Sequence, residues 1–123
     1  MTATYEKIAP TTTVSGGATV TVTFSSISSS YTDITMIITG GADEGSLRLY
    51  FNSDTGSNYS TTYMSGTGSV AQRGRQSNNN AILINGIYGA TNANTNTIVQ
   101  IQNYANTTYN KTVLCRGNIA DDD

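Results

Sequence analysis

The run GATVTVTF, residues 17–24, sets the first limit on what this chain can become. Val20, Val22 and Phe24 alternate with Thr19, Thr21 and Thr23. Successive side chains of a strand point to opposite faces, so a period of two predicts one buried and one wet face. The same period returns in TDITMIITGG, where Ile34, Met36 and Ile38 share a face and Ile37 lies on the other, so part of this strand is expected to be covered on both sides. SLRLYFN repeats it with Leu47, Leu49 and Phe51 inward and Arg48 and Tyr50 outward. AILINGIY, TIVQIQNYA and YNKTVLCRG read as further strands, YSTTYM and TYEKIA as weaker ones. No ten-residue window has helical spacing. Residues 65–80, SGTGSVAQRGRQSNNN, show neither period and predict a long polar loop, a place where contacts and function concentrate.

Such spacing, with Gly, Asn and Ser between the runs, predicts an all-β, single-domain antiparallel β-sandwich over residues 1–123, jelly-roll-like, with seven or eight short strands. Composition agrees. Hydrophobic residues make 37% and charged residues only 11%, and neutral Thr, Ser, Asn and Gly supply nearly half the chain. Disorder would call for high net charge, and this chain carries −2. Asp121, Asp122 and Asp123 form an acidic tail, and the rest is almost neutral. Nucleic-acid binding needs a concentrated basic surface, and only Arg73 and Arg75 in QRGRQ lie close together, so no nucleic-acid partner is expected. Residues 1–16 lack the apolar core of a signal peptide, and no run approaches a membrane span. Sequons at Asn58, Asn106 and Asn110 read as chance in an Asn/Thr-rich sequence. Cys115, the single cysteine, sits in an apolar alternation and reads as a small buried side chain rather than a reactive thiol.

Asp-Thr-Gly at residues 54–56 is what an aspartic protease carries at its catalytic aspartate. A buried apolar strand should deliver that aspartate, but Asn52 and Ser53 precede Asp54. The accompanying apolar pair should lead straight into a glycine, but in ILINGIYG Asn85 intervenes. A turn accounts for more residues. Asn and Asp side chains accept backbone N–H bonds, and Gly takes positive φ. Asn52, Asp54, Gly56 and Asn58 thus read as a self-capped loop, with Phe51 and Tyr59 anchoring its ends. Calcium is the remaining alternative, since Asn52, Asp54 and Asn58 carry oxygens, but one carboxylate is too few for strong binding.

Other chemistry finds no constellation. The chain has no His, which removes Ser-His-Asp and Cys-His sets. Paired carboxylates would have to come from Glu6, Asp33, Asp43, Glu44 and Asp54, and Asp43 and Glu44 read as a solvated turn. SGTGSV lacks the Lys of a phosphate-cradling loop. No catalytic residue, metal or cofactor is expected. Tyr50, Tyr63, Arg73, Arg75 and the 65–80 loop are the interface candidates, because Tyr joins apolar area to a polar tip. Ordinary strand-face packing is the alternative for the tyrosines.

Phe51, Asn52, Asp54, Gly56, Asn58 and Tyr59, preceded by LRLYF, form a pattern that resembles structural proteins of tailed bacteriophages. The textures of YEKIAPTTTVSGGATVTVTFSSISSSYTDITMIITG and IQNYANTTYNKTVLCRG are similar to theirs, so the likeness runs through most of residues 5–117. The resemblance implies a jelly-roll-like sandwich in the virion, assembled in the host cytoplasm, non-enzymatic and homo-oligomeric, with a trimer favoured. It implies a capsid decoration or cement protein binding the major capsid protein or other virion proteins. A tail or fibre accessory protein is the alternative, and a carbohydrate-binding host-attachment module, using Tyr63 or Tyr88, is the rival of another class. Similar chains continue for more strands where this sequence reads GNIADDD. Either a smaller sandwich or an edge completed by a neighbouring copy is therefore expected.

Overall fold

β-Branched residues at every second position favour extended backbone and pair across ladders, and the computed structural model is all-β. It describes residues 5–15, 20–40, 47–66, 68–84 and 94–120, with Asn94, Ile119 and Ala120 described by backbone alone. The strands are β1 (Ile34–Gly40), β2 (Leu47–Leu49), β3 (Tyr59–Gly66), β4 (Ala71–Asn79), β5 (Ile82–Ile84), β6 (Asn94–Gln102) and β7 (Thr112–Ala120). No helix occurs among the described residues. Every pairing is antiparallel. A three-stranded sheet has the order β1-β6-β7, and β2-β5 and β3-β4 are two-stranded ribbons.

Register explains the core. Ile34, Met36 and Ile38 stand opposite Ile101, Val99 and Thr97 of β6. Those three stand opposite Val113, Cys115 and Gly117 of β7. Paired residues share a face, so one side of this sheet is apolar across the rows Ile34–Ile101–Val113 and Met36–Val99–Cys115. Val99, at 0% exposure, forms the buried centre with Ile101 and Ile84 of β5. Leu47 and Leu49 of β2, Phe51 and Tyr104 pack against the same cluster. Burial of each large aliphatic side chain contributes about 1.5–3 kcal/mol. The ribbon β2-β5 therefore covers the inner face of the three-stranded sheet.

Four expectations are corrected. The alternating run at Val20–Phe24 belongs to no strand. Val20, Val22 and Phe24 are 49%, 40% and 43% exposed, and residues 17–19 lie outside the described residues. The alternation specifies a face, but no described strand pairs with it. The weak run TYEKIA likewise forms no strand over its described residues 5–9. The polar stretch 65–80 is not a loop: Ala71–Asn79 is a strand paired along β3. Its ladder is built from Gln, Arg and Ser, which carry no hydrophobic period. Ile37, placed on the outer face, is 71% exposed rather than covered.

Strand ends use left-handed residues. Asn78 has φ 57° where the β3-β4 register shifts by one residue, between Tyr59↔Asn79 and Thr61↔Gln76, the position of a β-bulge. Asn103 has φ 51° after β6. Its N–H donates to Asp33 Oδ1 at 2.9 Å, and the next N–H, of Tyr104, donates to Thr32 O at 2.7 Å. These bonds tie the end of β6 to the segment entering β1.

Candidate assembly surface

The loop Phe51–Tyr59 leaves β2 and returns as β3. Asp54 N–H donates to Phe51 O at 2.9 Å, and the central residues Asn52 and Ser53 have φ 52° and 58°. A four-residue turn with two positive φ values has the mirror geometry of tight hairpin turns. Asn tolerates it, and Ser does so at a cost of about 1 kcal/mol. Asp54 then organises residues 55–58. Its Oδ1 accepts from Gly56 N–H at 2.8 Å, and its Oδ1 and Oδ2 accept from Asn58 Nδ2 at 3.2 and 2.9 Å. Asn58 N–H donates to Gly56 O at 2.8 Å.

Gly56 serves by its size rather than by positive φ. A Cβ there would stand 2.8 Å from Asn58 Nδ2 and 3.1 Å from Asp54 Oδ1. Tyr59, buried at the start of β3, closes the loop: its Oη donates to Asp54 O at 3.0 Å and accepts from Phe51 N–H at 3.2 Å. The four turn residues are thus brought into one hydrogen-bonded loop, anchored at both ends by aromatic rings.

This geometry sets the chemistry of Asp54. Hydrogen bonds from the Asn58 amide and the Gly56 backbone hold its carboxyl below the usual aspartate range. A lone carboxylate held ionised by neutral donors is the reverse of a proton-sharing dyad. Asn58 turns an N–H toward the Asp54 carboxylate. Among the described residues no three Asp, Glu, Cys or His side chains lie together as a metal-binding group.

The interface candidates take different positions. Tyr50 directly follows β2 and is partly exposed. Tyr63 of β3 lies across Gly74 of β4, its register partner. A Cβ at Gly74 would come within 2.5 Å of Tyr63 Cζ and Oη. The ring therefore covers a glycine gap inside its own ribbon, and Tyr63 is only half-exposed. Arg73 and Arg75 are exposed on the other face, opposite Met64 and Thr62, and Met64 is 88% exposed. Tyr88, the Asp43–Glu44 turn and the tail at Asp121–Asp123 lie outside the described residues.

Two surfaces escaped the sequence reading. The outer face of the three-stranded sheet pairs Ile37 with Ile98, and Leu114 stands diagonal to Ile98 on β7. Ile37, Ile98 and Leu114 are 71%, 37% and 51% exposed, among Thr35, Thr39, Asn96, Gln100 and Thr112, with the exposed Arg116 directly opposite Ile98. Alternation announced outward positions, but only register shows that three apolar ones are neighbours. The second is a shallow cleft of about 210 Å³ beside the Asp54 loop, lined by Ile27, Phe51, Asn52, Tyr104, Asn106 and Lys111 among others. Asn106 is turned inward by local bonds: its Oδ1 accepts from Thr108 and Tyr109 N–H at 2.7 and 3.0 Å, and its carbonyl accepts from Lys111 Nζ.

No protein-family model matches the chain, and no curated protein or solved structure matches it either.

Proposed function

We propose that this chain is a non-enzymatic structural protein of a tailed-bacteriophage virion, folded as one jelly-roll-like sandwich and working as a homo-oligomer. It decorates or cements the capsid by binding the major capsid protein. The observation that carries this is the apolar group Ile37, Ile98 and Leu114 on the outer face of the three-stranded sheet, set among Thr, Asn and Gln side chains with one charge, Arg116 opposite Ile98. An interface is apolar at its core and polar at its rim, enriched in Arg and depleted of Lys, Asp and Glu, and this face has that composition. The Phe51–Tyr59 pattern supports the virion context through its resemblance to phage structural proteins. Function is passive: weak contacts are multiplied by the symmetry of the particle.

Quantitative mass spectrometry of purified particles tests it, by the copy number of this chain against the major capsid protein. Hundreds of copies are expected for decoration. A handful, in multiples of three or six, assigns the chain to the tail or a vertex, and absence from particles overturns the virion role. A second reading, saccharide binding, is favoured by the cleft, where Phe51 and Tyr104 lie beside Asn52 and Asn106. Binding on a glycan array that Tyr104→Ala abolishes would favour it.

A further inference from the structure

Residues 20–24 carry the cleanest strand period in the chain, yet none of their backbone groups bonds to the described protein. Alternating Val and Phe on one face, and Thr on the other, is the pattern of a strand with one buried face. In the single chain that face is open, with Val20, Val22 and Phe24 all exposed. Ile27, half-buried in the cleft beside Phe51 and Tyr104, pins the arm to the body just beyond them. The segment is anchored at one end and pairs along its length with none of the described strands.

The complement is a sheet edge. β7 pairs only with β6 among the described residues, so nine residues, Thr112–Ala120, present one unpaired backbone edge. Its inner side holds Val113, Cys115 and Gly117, and its outer side Thr112, Leu114 and Arg116. A strand added here with Val20, Val22 and Phe24 inward would extend the apolar inner face. Thr21 and Thr23 would join the Thr- and Asn-rich outer one. Within its own chain the arm runs through Tyr31–Asp33 into β1, on the far side of β6 from β7, about 10 Å across the sheet.

We propose that Val20–Phe24 is a donor strand, added to the β7 edge of a second copy of this chain. Each copy gives one strand and receives one, so the exchange links copies head to tail, in rings where the rotation closes, and covers the β7 edge. This rests on the assembly reading above and specifies its bond. Self-association of the purified protein, rather than binding to the particle, is what the exchange predicts.

Val22→Pro tests it in the full-length chain. Proline removes an N–H and cannot sit inside a ladder, and in the single chain that N–H has no partner among the described residues. Expected is an oligomer for the parent protein by analytical ultracentrifugation, and a folded monomer for Val22→Pro with unchanged far-UV circular dichroism. Amide exchange at the β7 edge should rise at least tenfold in the variant. A synthetic peptide of residues 18–27, added in excess, should dissociate the parent oligomer. If Val22→Pro stays oligomeric with β7 exchange unchanged, the donor strand is refuted and the assembly reading survives. A parent protein that is monomeric at all concentrations refutes both. Loss of fold in Val22→Pro, with the peptide failing to compete, means that the arm pairs within its own chain and also refutes the exchange.

Discussion

Thr97 offers a substitution whose sign separates packing from hydrogen bonding. Its side chain is 0% exposed on the inner face of β6, between Ile38 and Gly117, and its Oγ1 has no partner among the described residues. Valine has the same shape with a methyl in place of the hydroxyl. An unpartnered buried hydroxyl costs about 1–3 kcal/mol, and the added methyl contributes about 0.8 kcal/mol. Thr97→Val should therefore stabilise the fold by about 2 kcal/mol. With an unfolding entropy of about 2.1 cal/mol/K per residue, this raises Tm by about 8 °C. Thermal unfolding followed by circular dichroism, at one fixed protein concentration, measures it. Val99→Ala is the counterpart, since Val99 is equally enclosed, and it should cost about 2 kcal/mol or more. If Val99→Ala destabilises as expected while Thr97→Val leaves Tm unchanged or lowers it, the hydroxyl is satisfied, for instance by water beside Gly117, and the reasoning fails.

The Asp54 loop predicts a pH dependence. Its folded pKa is depressed, so its contribution is full above the unfolded value of about 3.9 and is lost as pH falls through the lower folded value. Asp54→Asn should remove that acid-limb dependence and raise proteolytic nicking at residues 52–58 without changing the far-UV spectrum. Ser53→Gly relieves a left-handed serine and should gain about 0.5–1 kcal/mol in denaturant titration; a loss would mean that φ at Ser53 carries no strain. Gly74→Val must displace the Tyr63 ring and should cost about 1–3 kcal/mol, most of it recovered when Tyr63→Ala is combined with it; additive losses in the double mutant would contradict the contact. Burial pushes the Cys115 thiol above its ordinary value, so at pH 8 iodoacetamide should label it far more slowly in the folded chain than in denaturant.

Local chemistry was legible without tertiary structure. The bonds of the Asp54 loop join residues within eight positions of one another, and Asn, Asp and Gly in that order can close such a loop unaided. Only the reason for Gly56 differs: close approach by Asn58 and Asp54 instead of positive φ. The β4 strand was invisible because a ribbon exposed on one face needs no hydrophobic period. Its register is held by Tyr63 over Gly74 and by the bulge at Asn78, neither of which alternates.

Residue types by themselves determined that this chain is all-β, because β-branched residues at a period of two, punctuated by Gly and Asn, favour extended backbone and tight turns over any helix. They also determined which face of β1 and of β2 is apolar. Tertiary structure alone decided which strands meet: β1 finds β6 across about half the chain, and the run with the clearest period, Val20–Phe24, finds no partner among the described residues. Periodicity encodes the face a strand presents. It does not encode the edge that will bind it, since every backbone N–H and carbonyl is alike, and only packing and register choose among them.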